Sequence, residues 1–151
     1  MKRLIFSLLL LVSSLAAQAA VKTVQFRGLA YAVDTERKEA QLVRQSVTIK
    51  GNLPIPEEIK YKDKASGKYI PVPVISIAES ALANQKKLKS LYIPASVQGI
   101  GDYAFANCRH LRRVYFASAQ MAAKAGSTTW LSGTKASIES VLMPGESISI
   151  P

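Results

Sequence analysis

The sequence predicts a β-rich α/β solenoid in which short parallel strands from successive repeats stack on one another beside a β-rich N-terminal cap. Three observations predict it. Two segments repeat each other without a gap, each copy carries the inward–outward alternation of a short strand, and the flanks read as hairpins and a short helix suited to closing an open-ended stack. The 151 residues leave room for one domain, and apolar residues make up 48% of them, ample for a core.

The first element is a leader. MKRLIFSLLLLVSSLAAQAA opens with Lys2 and Arg3, runs apolar from Leu4 to Val12 and reaches small residues before Val21. Ala17-Gln18-Ala19 has the small-x-small pattern that signal peptidase accepts, which predicts a signal peptide over residues 1–19 cleaved near Ala19. The apolar run is short for about 30 Å of hydrocarbon, which disfavours an uncleaved anchor. No cysteine near the cleavage point offers a lipid-attachment site, and no later segment is long and apolar enough to span a bilayer. The mature chain is therefore expected to be secreted, periplasmic or extracellular, without stable membrane insertion.

Residues 20–73 are expected to form a β-rich cap with a partial repeat and a hairpin. Leu29–Val33 and Ala40–Val43 read as strands joined by the charged turn DTERKE, with a third run at Val47–Lys50. Leu53–Ile59 (LPIPEEI) is similar to Leu91–Val97 (LYIPASV), the mark of an early partial copy. Lys64–Lys68 (KASGK) reads as a hairpin tip with Tyr61 and Tyr69 on its arms, and Pro71 and Pro73 argue for an edge rather than a central strand.

Residues 74–151 carry the repeats and a C-terminal cap. Val74, Ile77, Ala81, Ala83, Asn84, Leu88 and Tyr92 recur 23 residues later as Val97, Ile100, Ala104, Ala106, Asn107, Leu111 and Tyr115. The pattern L-x-x-L-x-L appears as Leu88/Leu91/Ile93 and as Leu111/Val114/Phe116, and a worn copy, Ile138/Val141/Met143, follows at an offset of 27. The L-x-L alternation is a short strand with one inward face. Glu79–Asn84 and Asp102–Asn107 read as one helical turn each, opened by an acid, with Ala-Leu or Ala-Phe pointing inward. Ser118 can N-cap a short helix through Met121, Ala122 and Lys124 that ends at Gly126, and Trp130 and Leu131 then cover the last of the core.

These residues resemble the BspA-like leucine-rich-repeat family. Ile77, Ala81-Leu82, Asn84, Leu88, Leu91, Ile93-Pro94 and Val97 match one unit of the family's pattern, and Ile100, Ala104-Phe105, Asn107-Cys108, Leu111, Val114 and Phe116 the next. The clear resemblance covers residues 74–116, with weaker extensions to 53 and 144. It implies a leucine-rich-repeat solenoid, commonly secreted or surface-exposed, and several similar proteins are thought to be adhesins or host-interaction proteins. The sequence is short for such a protein, and with GESISIP as its last residues no sorting or anchoring module is expected.

Catalysis is not expected. Cys108, the lone cysteine, excludes an internal disulfide and a multi-cysteine metal site. A nucleophilic reading would pair it with His110, the lone histidine, but nothing in the sequence orients the imidazole. Cys108 also stands where the previous repeat has Gln85, a position the resemblance assigns to packing. No nucleophile elbow, phosphate-binding glycine loop or set of metal ligands occurs, so no cofactor is expected, and Glu57-Glu58 reads as a solvated pair.

Two surfaces are candidates for binding. The side chains between the inward residues of each strand should form a row on the concave face, Tyr92, Tyr115 and Leu142, with Ser90, Arg113 and Ser140 beside it, suited to a protein or glycan partner. The same tyrosines would also serve by packing against each other across strands. The second surface follows from charge. The net charge is +10, and without Lys2 and Arg3 there are 18 basic against 10 acidic residues. Stacking at the 23-residue offset sets Lys86 over Arg109, Lys87 over His110 and Lys89 over Arg112, a stripe suited to acidic glycan, lipopolysaccharide or nucleic acid, or simply a solvated face that keeps copies apart. An apolar edge strand left by so short a stack would allow self-association.

Overall fold

The computed structural model describes residues 21–125 and 129–140; the expected signal peptide, Gly126 and Leu142 lie outside them. Among these described residues ten strands and one short helix follow in the order β1 (Val21–Phe26), β2 (Leu29–Asp34), β3 (Glu39–Leu42), β4 (Lys50–Pro54), β5 (Glu58–Lys62), β6 (Tyr69–Ile77), β7 (Lys87–Ile93), β8 (Gly99–Ile100), β9 (Arg113–Phe116), α1 (Ala119–Ala125) and β10 (Ser137–Ser140). One sheet runs β1-β2-β3-β6-β5 with β8 added on β6, and a second runs β10-β9-β7-β4.

The N-terminal strands form because alternation puts every second side chain inside: Leu29, Tyr31 and Val33 of β2 and Ala40 and Leu42 of β3 are buried. Arg27 and Gly28, at φ of 49° and 82°, make the two-residue left-handed turn that matches the twist of β1 and β2. In the DTERKE turn the Asp34 carboxylate accepts from the backbone N–H groups of Glu36 and Arg37, both at 2.9 Å. Strand β1 had no distinct signal in the sequence. Its outward residues are exposed and only Val24 and Phe26 pack on the core.

Val47–Lys50, expected to be a strand, is one only from Lys50. Its Val47 and Ile49 backbone groups are held by a side chain instead: Gln85 Oε1 accepts from Ile49 N–H at 2.9 Å and Gln85 Nε2 donates to the Val47 carbonyl at 3.0 Å. Strand β4 then pairs in parallel with β7, with Leu53 opposite Leu91, the register implied by the likeness of LPIPEEI to LYIPASV. The chain between them leaves as the β5–β6 hairpin, whose tip is closed by Asp63 accepting from Ser66 N–H (3.0 Å) and Oγ–H (2.7 Å). The prolines place only part of β6 at an edge. Pro71 and Pro73 fall where β5 alone pairs with it, whereas Val74–Ile77 meets β3, and Ser76 and Ile77 also meet β8. β6 continues unbroken through residue 73.

The repeats contact each other along three backbone ladders. Ser76 and Ile77 pair with Gly99 and Ile100. Ser90–Ile93 pairs with Arg113–Phe116 at the 23-residue offset. Between these, the N–H groups of Ser80, Leu82 and Asn84 donate to the carbonyls of Asp102, Ala104 and Ala106 at 2.7–3.1 Å, and Phe105 and Asn107 donate onward to Trp130 and Ser132. The turns are not helical. Ser80, Asn84, Tyr103 and Asn107 have φ of 54–61°, a left-handed conformation that interrupts a right-handed helix twice per copy and frees the N–H groups to bond to the next copy.

The inward residues of both copies are buried: Ala81, Leu82, Leu88, Leu91 and Ile93, then Ala104, Phe105, Leu111, Val114 and Phe116. Each large apolar side chain contributes about 1.5–3 kcal/mol by leaving water. They join residues of the first sheet in one cluster. Helix α1 follows Ser118, whose carbonyl accepts from Ala122 N–H at 3.1 Å, and buries Met121 and Ala125. Trp130 is buried with its ring 6.3 Å from that of Phe116, and Leu131 is partly buried beside the core.

The worn third copy requires a correction. Ile138 pairs with Val114, an offset of 24 rather than 27, so Ile138 occupies the second apolar position of the pattern and not the first. The ladder sets this register, through Ser137 N–H donating to the Arg112 carbonyl at 2.8 Å. Among the described residues no helix is long and apolar enough to cross a membrane.

Candidate functional site

Strands β7 and β9 present alternate side chains outward. Ser90 and Tyr92 lie between the buried Leu88, Leu91 and Ile93, and Arg113 and Tyr115 lie on either side of the buried Val114. Parallel pairing sets Tyr92 directly opposite Tyr115 and Ser90 opposite Arg113. Both tyrosines are half-buried, so each ring leans on the sheet and keeps part of its surface open. An Arg113 guanidinium N–H lies 3.4 Å from the Tyr115 hydroxyl, and Ser90 Oγ–H donates to Asn52 Oδ1 at 2.7 Å, which ties β4 into the same face. Pairing continues the row at the tyrosines into the backbone of Glu139 and the row at Arg113 into Ser137 rather than Ser140, because of the 24-residue register.

The basic residues meet on the adjoining surface. Lys86, Lys87, Lys89, Arg109, His110, Arg112 and Arg113 are all exposed. His110 Nδ1 lies 2.5 Å from the Lys86 carbonyl and Arg112 N–H donates to the Lys89 carbonyl at 2.8 Å, so the two runs lie against each other. Lys50, which the sequence reading did not select, joins them opposite Lys87. The available signal was the likeness of Leu53 to Leu91: extended back along the strand, it brings Lys50 beside the lysine run.

These side chains wall three adjoining depressions. One of about 500 Å³ is bordered by Lys50, Gly51, Lys86, Lys87, Lys89 and His110. A second of about 550 Å³ lies among Asn52, Lys89, Ser90, His110, Arg112, Arg113 and Tyr115. A third of about 530 Å³ reaches Thr48 and Asn84 past Lys50, Lys86 and Lys87. Tyr115 and Arg113 of the strand face thus border the same hollow as Lys89 and Arg112 of the stripe. The two surfaces read separately from the sequence adjoin. Arg109 does not border these hollows. A smaller depression, about 190 Å³, lies at β1–β3 and β6 and is edged by Asp34 and Glu39.

Cys108 and His110 do not form a pair. The thiol is fully buried, donates to the Leu82 carbonyl at 3.0 Å, and is pushed up in pKa by its burial, the reverse of what activates a nucleophile. His110 is on the surface, turned to Lys86. Among the described residues no cluster of three or more histidine, cysteine or acidic side chains is placed to hold a metal ion.

Residues 55–150 match, in six copies, the family model described as the BspA type leucine rich repeat region. Among solved structures, a leucine rich cell surface protein from Faecalibacterium prausnitzii is 23% identical with a TM-score of 0.52, over 63% of this chain and 23% of that one. A leucine-rich repeat protein from Bacteroides capillosus is 25% identical with a TM-score of 0.47, over 62% and 70% of the two chains. A leucine rich repeat protein from T. pallidum is 21% identical with a TM-score of 0.44, over 64% and 44%. The chain spans about a quarter of the length of the first of these, and that likeness is one of fold. No curated protein matches the chain.

Proposed function

The chain belongs to the BspA-type leucine-rich-repeat family, and from that membership we propose that it is a short leucine-rich-repeat solenoid acting outside the cytoplasm as a non-enzymatic protein-interaction module. One observation carries the reading. Tyr92 and Tyr115 stand side by side on paired strands, half-open to solvent, with Arg113 beside them. Tyrosine brings a large contact area and a hydroxyl at little cost in side-chain entropy, and strands hold it in place before a partner arrives. Arginine beside tyrosine is the composition of an interface hot spot.

In this reading residues 1–19 are removed on export, residues 20–73 cap the stack, and residues 74–151 supply the repeats and the closing cap. Adhesion to another cell or to a host surface is the use that the family resemblance favours, with a protein partner ahead of a glycan on this face.

The test is a screen of the purified protein against an array of extracellular proteins, at low and high salt. The expected binder is weakened about tenfold or more by Tyr92→Ala or Tyr115→Ala, with little dependence on salt. A binder indifferent to both tyrosines would place the contact elsewhere on the molecule.

A further inference from the structure

We infer that the groove between β4, β7 and the turn before β9 is a binding site for an extended acidic polysaccharide, its anionic groups held by Lys50, Lys86, Lys87, Lys89 and Arg112. This site does not depend on the tyrosine face being a protein-binding surface.

The first support is the grouping of like charge at a cost to the fold. Lys50 is opposite Lys87 on paired strands, and Arg112 is tied to Lys89 through the backbone. Like charges on neighbouring strands, roughly 4.8 Å apart, repel. Among the described residues none of Lys50, Lys86, Lys87, Lys89 and Arg112 forms an ion pair. Anions supplied from outside would relieve that repulsion.

The second is shape. The three depressions share walls: Lys50, Lys86 and Lys87 separate the third from the first, and Lys89 and His110 separate the first from the second. They form a track rather than a closed pocket, which suits a chain better than a lone small anion. His110 borders two of the three and is fixed there by its Nδ1 against the Lys86 carbonyl.

The third is what the track lacks. Single-stranded nucleic acid is bound by basic grooves that also offer aromatic faces for the bases. Here, among the described residues, the bordering rings are Tyr115, half-buried at one end beside Arg113, and the small imidazole of His110, not a row of faces for successive bases. Charge without a stacking platform fits a polyanion without bases, bearing sulfate or carboxylate groups.

The experiment measures binding of heparin, of polygalacturonate and of an oligo-dT strand to the purified protein as salt is raised. Heparin or polygalacturonate should bind more tightly than oligo-dT. The double reversal Lys50→Glu with Lys89→Glu should weaken binding more than tenfold and lower the slope of log affinity against log salt by about two. Lys60→Glu with Lys62→Glu, on the outward side of the β5–β6 hairpin, changes net charge equally and should leave most of the binding intact. Equal losses from both double variants would reduce the interaction to overall charge and overturn the site. Tighter binding of oligo-dT, or no binding of either polysaccharide, would also overturn it. Tyr92→Ala should leave polysaccharide binding unchanged, so failure here and failure of the tyrosine face are read separately.

Discussion

Gly101 lies against the backbone of Glu79. A Cβ built at position 101 would stand 2.7 Å from the Glu79 Cα and closer still to its nitrogen, while Gly101 N–H donates to the Ile77 carbonyl at 2.8 Å. Here one copy turns directly over the previous one, and the atoms in the way are backbone that cannot swing aside.

Gly101→Ala should therefore force the two copies apart. The expected loss is about 1–3 kcal/mol, the range for overpacking in a close-packed interior, read from a urea denaturation midpoint. An unchanged midpoint would mean that the copies are not closely stacked at this point.

Gln85 and Cys108 occupy equivalent places in successive copies, yet they bond differently. Gln85 completes both Ile49 N–H and the Val47 carbonyl, whereas the Cys108 thiol meets the Leu82 carbonyl. Gln85→Leu would leave a buried donor and an acceptor unpaired, at about 1–3 kcal/mol. Denaturation should show that loss, and faster hydrogen exchange at Ile49 N–H should show its place. Stability equal to wild type would mean that solvent replaces the amide.

Tyr31 is fully buried and its hydroxyl has no partner among the described residues. Burial pushes its phenol from 10.0 up to about 12, against a smaller lowering by Arg27. The unfolded chain releases that proton near pH 10 and the folded chain only near 12. The folded state thus holds more protons across this window, and stability falls as pH rises through it, by about 2–3 kcal/mol. Tyr31→Phe should be neutral or slightly stabilising at pH 7, since it removes a buried unpaired oxygen, and should flatten the alkaline decline. Denaturation of both proteins at pH 7 and pH 11 checks this. A clear loss at pH 7 would show that the hydroxyl is bonded after all.

Legibility followed the range of the interactions. Leu91, Ile93, Val114 and Phe116 could be placed inside because strand alternation has a period of two, and the 23-residue offset reappears as the β7–β9 register. The left-handed residues were not legible. Asn84 and Asn107 tolerate that conformation, but Ser80 and Tyr103 carry no such mark, and acid-Ala-Leu reads equally as a helical turn. In the candidate site, Tyr92, Arg113 and Tyr115 came from the repeat itself. Lys50 was missed because it stands 37 positions before Lys87, with a hairpin between them.

By itself the sequence determined the repeat, its inward residues and the family, because these rest on spacing within a few turns of chain. Only the tertiary structure decided which residues adjoin across the stack: Glu139 opposite Tyr115, Lys50 beside Lys87, and the stripe against the tyrosine face. Backbone hydrogen bonds between copies set those neighbours. They join N–H and C=O groups whatever the side chains are, so where connecting segments differ in length the residue pattern alone does not specify the register.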